Sequence, residues 1–134
     1  MEITIDDIIA VNEGILHEWK DRYPEHYEKV AVNKEELEKI LNETELQESI
    51  IAKAAFLMAA ISWAQPFSGG NKRTGYTCAR ALLRMNGYEF FVKSKQEIEA
   101  LRKLLLEIQD ERSELNTQTL SKIILYVARR IRKI

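Results

Sequence analysis

The run Ala54-Ala55-Phe56-Leu57-Met58-Ala59-Ala60-Ile61-Ser62-Trp63-Ala64 is apolar except for Ser62. A helix built on it is hydrophobic on every side, so it must be surrounded by other elements rather than packed on one. The run is about half the ~20 residues a membrane span needs, which makes it the expected centre of a soluble core. With 134 residues in total there is room for one domain, residues 1–134, around that centre.

The flanking segments read as helices with short connections, because only 5 Gly and 2 Pro interrupt the chain. Thr4 and Asp7 have capping-box spacing before a helix from Ile5 to Lys20, with Ile5, Ile8, Ile9, Leu16 and Trp19 at helical period. Asn12 breaks that stripe; a buried amide needs partners, and two readings stand equally, a residue facing a site or a satisfied structural amide. Asp21 to Val32, containing Tyr23-Pro24, reads as a loop. A short acidic helix is expected from Lys34 to Leu41, and Thr44 with Gln47 reads as the cap of the central helix. Another helix runs from Lys72 to Met85, closed by Asn86-Gly87. Tyr88 to Val92 reads as extended. Ser94 and Glu97 open a helix to Gln109 with Ile98, Leu101, Leu104, Leu105 and Ile108 turned inward, and a last helix runs from Thr117 to the end. The expected fold is all-α, about six helices.

Charge is divided along the chain. Residues 1–50 hold 14 carboxylates against 5 cations, residues 51–134 hold 7 against 15, and the net charge is only −1. No carboxylate lies between Glu48 and Glu89, a stretch that includes Lys53, Lys72, Arg73, Arg80 and Arg84. The single cysteine, Cys78, cannot form an internal disulfide and reads as a small core residue. With no basic leader before an apolar segment, a cytoplasmic location is expected and a membrane is not. The basic tail Arg129-Arg130-Ile131-Arg132-Lys133 reads as a solvated helix end favoured by the helix dipole, so nucleic acid is not the expected partner.

Within the carboxylate-free stretch, Ser68-Gly69-Gly70-Asn71-Lys72-Arg73 carries a glycine pair into a basic helix start. Unpaired N–H groups and the positive dipole end make such a terminus an anion cradle, and glycines let a phosphate come close. Two cations in a first turn oppose the dipole, which makes sense when an anion joins them. A plain turn with surface charges is the competing reading. The spacing of a nucleotide P-loop is absent.

The whole segment, Gln65-Pro66-Phe67-Ser68-Gly69-Gly70-Asn71-Lys72-Arg73-Thr74-Gly75, resembles the signature of the Fic/Doc family, H-P-F-x-[DE]-G-N-[GK]-R. Phe67, Gly70, Asn71, Lys72 and Arg73 match in place. Lys72 before the arginine and Thr74 after it resemble the death-on-curing (Doc) branch, and Ala81-Leu82-Leu83-Arg84-Met85-Asn86-Gly87-Tyr88 is similar to the flank found there. The resemblance implies a helical domain with this loop between two central helices. It also implies ATP or GTP on the helix terminus, a target-protein hydroxyl as acceptor, and an antitoxin as a further partner. Ser68, Gly69, Gly70, Asn71, Lys72 and Arg73 are then the candidate phosphate contacts, with Phe67 anchoring the loop in the core.

Two positions depart from the pattern. Gln65 stands where the family has its histidine, and an amide has no useful basicity near neutral pH, whereas a general base contributes on the order of 10²–10⁴ in rate. Gly69 stands where the family has its acidic metal ligand, so magnesium is expected to bind weakly at most. No metal site is expected from the residues themselves. Glu48, in Thr44-Glu45-Leu46-Gln47-Glu48-Ser49, approximates the family's inhibitory glutamate pattern, though the segment fits an ordinary helix start as well. His17 and His26 read as surface residues, and Arg73 is as readily paired with an acid of the first half as with phosphate. Three functions stay open: nucleotide binding with transfer weak or lost, an active AMP-transferase or phosphotransferase using displaced groups, and an interaction module with a structural loop.

Overall fold

In a computed structural model of the chain, residues 2–22, 31–110, 115 and 117–134 are described. The expected Tyr23-Pro24 turn and His26 lie outside them. Among the described residues six helices form: α1 (Ile5–Arg22), α2 (Lys34–Glu45), α3 (Ile50–Ala64), α4 (Asn71–Met85), α5 (Lys95–Gln109) and α6 (Thr117–Ala128). Two short strands, β1 (Tyr88–Phe90) and β2 (Ile131–Lys133), complete the order. The fold is mostly α, as the sparse glycine and proline content requires.

The apolar run sits in α3, and α3 touches α2, α4, α5 and α6. Ala54 through Ser62 are all buried, and Ser62 donates its hydroxyl to Met58 O at 2.9 Å, so the one polar side chain in the run is satisfied within the helix. The tightest contact is with α4. An added Cβ at Gly75 would stand 2.9 Å from Met58 O and 3.3 Å from Met58 Cα, so the two helices meet backbone to backbone.

Caps explain most boundaries. Thr4 and Asp7 form the reciprocal box at the start of α1, the Thr4 amide donating to Asp7 and the Asp7 amide to Thr4 Oγ1. These bonds also hold the Asp7 carboxyl below its ordinary pKa. Ser94 Oγ accepts from the Glu97 amide at 3.1 Å to open α5. The Thr44–Gln47 cap does not form. Thr44 lies inside α2, fully buried, donating to Ile40 O at 2.6 Å, and α2 runs on to Glu45. Ser49 caps α3 instead, accepting from the Ala52 amide at 3.1 Å. On the expected inward stripes, Trp19 is 47% and Ile98 50% exposed.

The tail is the largest departure. Helix α6 stops at Ala128, and Tyr88↔Lys133, Glu89↔Arg132 and Phe90↔Ile131 pair as an antiparallel ladder. A lone extended segment leaves its backbone groups without partners, and the tail supplies them. The Phe91 amide donates to Arg130 O at 2.7 Å and the Ile134 amide to Gly87 O at 2.9 Å, extending the ladder at both ends.

Gly75→Ala is expected to destabilise the fold by ~1–3 kcal/mol, because the new methyl meets backbone that cannot turn aside. Urea unfolding of the wild type and the variant measures the difference.

Candidate functional site

The sequence puts its motif in the turn between the two most intimately packed helices. Gln65 ends α3 in the left-handed region (φ 48°, ψ 59°), the one non-glycine residue with positive φ among those described, and its amide still donates to Ile61 O at 3.1 Å. A long side chain in this conformation is uncommon and marks a backbone held in place by its surroundings. Gly70 is also left-handed (φ 70°) and forms the N-cap of α4 with no side chain capping the terminus. The chain therefore reverses direction between two left-handed residues.

Three sets of contacts fix the loop. Asn71 clasps Phe67 in both directions, its Oδ1 accepting from the Phe67 amide at 3.1 Å and its Nδ2 donating to Phe67 O at 3.0 Å. The Phe67 ring is buried, as expected of an anchor. On the outer side, residues 31–33 run along the loop. Val32 bridges Phe67, the Asn33 amide donates to Pro66 O at 2.7 Å, and the Ser68 amide donates to Ala31 O at 3.1 Å.

From α1, Asn12 reaches in with no exposed surface. Its Nδ2 donates to Gly69 O at 2.8 Å and to Thr74 Oγ1 at 3.1 Å. Asn12 is thus a structural amide whose two donor bonds end on the motif segment, though the amide is not fully satisfied. The Gly69 carbonyl sets the amide's orientation, since turning it over would put two acceptors face to face. Asn12 Oδ1 consequently has no hydrogen-bond partner among the described residues. Helix α1 comes so close that a Cβ on Gly70 would stand 3.2 Å from Ile15 Cγ2.

The cations follow in the first turn of α4. Lys72 is half-buried and has no carboxylate partner among the described residues. Arg73 is exposed, and its guanidinium meets Glu18 of α1 at 2.9 Å. Sequence reasoning left Arg73 open between an acid of the first half and a phosphate, and did not name Glu18. Glu18 lies two positions beyond Leu16 on a helix whose inner face is legible, and nothing in its own neighbourhood distinguishes it from Glu13. A cleft of about 270 Å³ opens beside these cations, floored by Tyr76, Val92, Ile98 and Leu101. Its one visible sign in the sequence is Ile98, predicted inward and left half exposed.

Other candidates lie elsewhere. Glu48 precedes the start of α3 and the loop follows its end, so a helix of 15 residues, ~22 Å long, separates them. Glu48 instead lines a cleft with Glu2, Lys53 and Asn86. His17 is exposed on α1. Cys78 is buried in α4, and burial pushes its thiol up to about 12.

The donors present suit a phosphate. A helix terminus without a side-chain cap hydrogen bond, a glycine and two cations of the first turn lie next to one another there. They do not suit magnesium, because Gly69 offers no oxygen but its carbonyl, already bonded to Asn12, and the Glu18 carboxylate is bonded to Arg73. Gln65 is exposed and can orient a hydroxyl but not take its proton.

Asn71→Ala should cost ~1–3 kcal/mol and speed hydrogen exchange at the Phe67 amide, because two bonds to buried backbone are lost together. Arg73→Ala should change stability by less than ~1 kcal/mol, since both partners of its ion pair are exposed. Cys78 should resist alkylation at pH 8 until the chain unfolds. A folded thiol protonated up to about 12, against 9.0 when unperturbed, stabilises the fold fully below pH 9.0 and loses that contribution as pH rises toward 12.

Comparison with known proteins adds one result. A family model described as the Fic/DOC family matches residues 2–83, which takes in α1 through most of α4 and the whole loop. No curated protein matches, and no solved structure matches. Since the matched region is more than half of the chain and includes every contact that shapes the loop, the protein belongs to the Fic/DOC family.

Proposed function

We propose that the chain binds the phosphates of a nucleoside triphosphate, ATP or GTP, at the start of α4, and that it transfers AMP or phosphate weakly or not at all. The observation that carries this reading is Gly70, a left-handed cap that supplies no side-chain hydrogen bond to the helix terminus, with Asn12 and Ile15 of α1 beside it and Lys72 and Arg73 following. The first-turn amides and both cations belong to one turn of α4, and the clasp of Asn71 on Phe67 fixes the backbone of that turn without a ligand. The apolar cleft beside Lys72 and Arg73 takes the base; its size is at the lower edge of small-molecule sites. A phosphate arriving at this terminus competes with Glu18 for Arg73, so binding opens one exposed ion pair, a small expense.

Transfer is weak because the two chemical groups are missing while the binding groups remain. Gln65 supplies no base, and the carbonyl at Gly69 supplies no carboxylate. The chain's activity is then to hold a nucleotide, or a target or antitoxin-like partner responding to it. A fully active enzyme would need a histidine or carboxylate within reach of Gln65 or Gly69; the Glu18 carboxylate is bonded to Arg73 instead.

Calorimetric titration of ATP and GTP, with and without magnesium, tests this. Binding by the wild type should differ little with magnesium and weaken about tenfold or more in Arg73→Ala. The double variant Gln65→His/Gly69→Asp should gain magnesium dependence and label transfer to protein. Absence of any Arg73-dependent nucleotide affinity overturns the reading. Magnesium-dependent label transfer by the wild type replaces it with the active enzyme.

A further inference from the structure

The turn into α4 passes through two glycines in succession, Gly69 and Gly70. The peptide between them meets little steric resistance to turning over, because neither residue has a Cβ to hold its backbone in one region. Its two orientations are chemically opposite. In a planar trans unit the C=O and N–H point in opposite directions, so one orientation shows the outer side of the loop a donor and the other an acceptor.

Asn12 decides between them. From a position with no exposed surface its Nδ2 donates to Gly69 O at 2.8 Å, which draws the carbonyl toward α1 and leaves the Gly70 N–H facing the other way. The second bond, to Thr74 Oγ1 at 3.1 Å, fixes the amide in place. Along the loop the Phe67 N–H donates to Asn71 and the Ser68 N–H to Ala31 O. The next N–H to find an acceptor among the described residues is that of Thr74, on Gly70 O at 2.9 Å. Stability alone does not account for an amide here. Asn12 interrupts the apolar stripe of α1, and its buried Oδ1 has no partner among the described residues, a loss that an apolar side chain would avoid. The Gly69 carbonyl, on a residue only half-buried, could then turn to water.

We infer that Asn12 is a positioning residue for anion binding at the start of α4, an inference that rests on the nucleotide reading above. Being buried, it acts through the peptide between Gly69 and Gly70 rather than on a ligand. With Asn12 present, that peptide adds the Gly70 N–H to the donors of the first turn, and an N–H bonded to a charged oxygen is roughly twice as strong as a neutral pair. Without it, the carbonyl turns toward water on the outer side. The site then loses a donor and gains a negative dipole against the phosphate that Lys72 and Arg73 attract.

The test uses the full chain with ATP as the probe, read by calorimetry and by the amide resonances of the ¹⁵N-labelled protein. In the wild type the Gly70 amide resonance should move on ATP addition together with those of Lys72 and Arg73. Asn12→Ala should keep its helical circular dichroism and bind ATP about tenfold or more weakly. Thr44→Val is the control for destabilisation, since it removes an equally buried bond, to Ile40 O at 2.6 Å in α2, away from the loop. It should lower the urea midpoint and leave ATP affinity unchanged. Equal ATP affinity in the wild type and Asn12→Ala overturns the inference, and so does equal weakening by Asn12→Ala and Thr44→Val. If Asn12→Ala does not fold, the wild-type spectra decide: a Gly70 resonance that stays still while those of Lys72 and Arg73 move overturns the inference. Absence of Arg73-dependent ATP affinity in the wild type is a separate failure, which removes the nucleotide reading and this inference with it.

Discussion

The approach of α4 to α3 at Gly75 and Met58 is the constraint on which the motif loop depends. Two helices whose backbones touch leave little freedom for the turn that joins them. The six residues from Gln65 to Gly70 must reverse the chain over a short gap, which is why both ends of the turn are left-handed. The alanines of α3 allow this intimacy, and the helices packed around it prevent the pair from sliding. A larger residue at the crossing would move the start of α4 and everything bonded to it.

On that scaffold the loop is held by polar side chains rather than by glycine alone. Asn71 replaces the missing backbone partners of Phe67, and Asn12 ties Gly69 and Thr74 to α1. The arrangement has a cost in the unpaired Asn12 Oδ1, of the size typical of an unsatisfied buried acceptor, about 1–3 kcal/mol. A chain that retains such an atom is trading stability for the position of a carbonyl. The preorganised part of the site is therefore the backbone, and the exposed Arg73–Glu18 pair is its adjustable part.

Much of this was visible in the sequence, and the misses share a cause. The all-round apolarity of Ala54 to Ala64 identified the buried helix, and Thr4 with Asp7 and Ser94 with Glu97 marked helix starts, because these signals are local. Thr44 misled because a hydroxyl can bond backward inside a helix as readily as it can cap one, and burial decides which. The tail misled for a stronger reason: Leu120, Ile123 and Val127 continue a helical period toward Ile131, and only the need of Tyr88 to Phe90 for a ladder partner ends it. At the loop, Gly70, Asn71 and Phe67 were legible as a group. Glu18 was not, since it meets Arg73 across 55 positions, and the clefts were not, since each is assembled from several elements.

The left-handed turn at Gln65 has an evolutionary consequence. Histidine is among the residues that tolerate this conformation better than most, so the backbone that now carries an amide would accept an imidazole without rearrangement. Glutamine and histidine codons differ in a single base at the third position. Side-chain chemistry rather than backbone shape thus separates this loop from one that carries an imidazole, and a single base change would supply it.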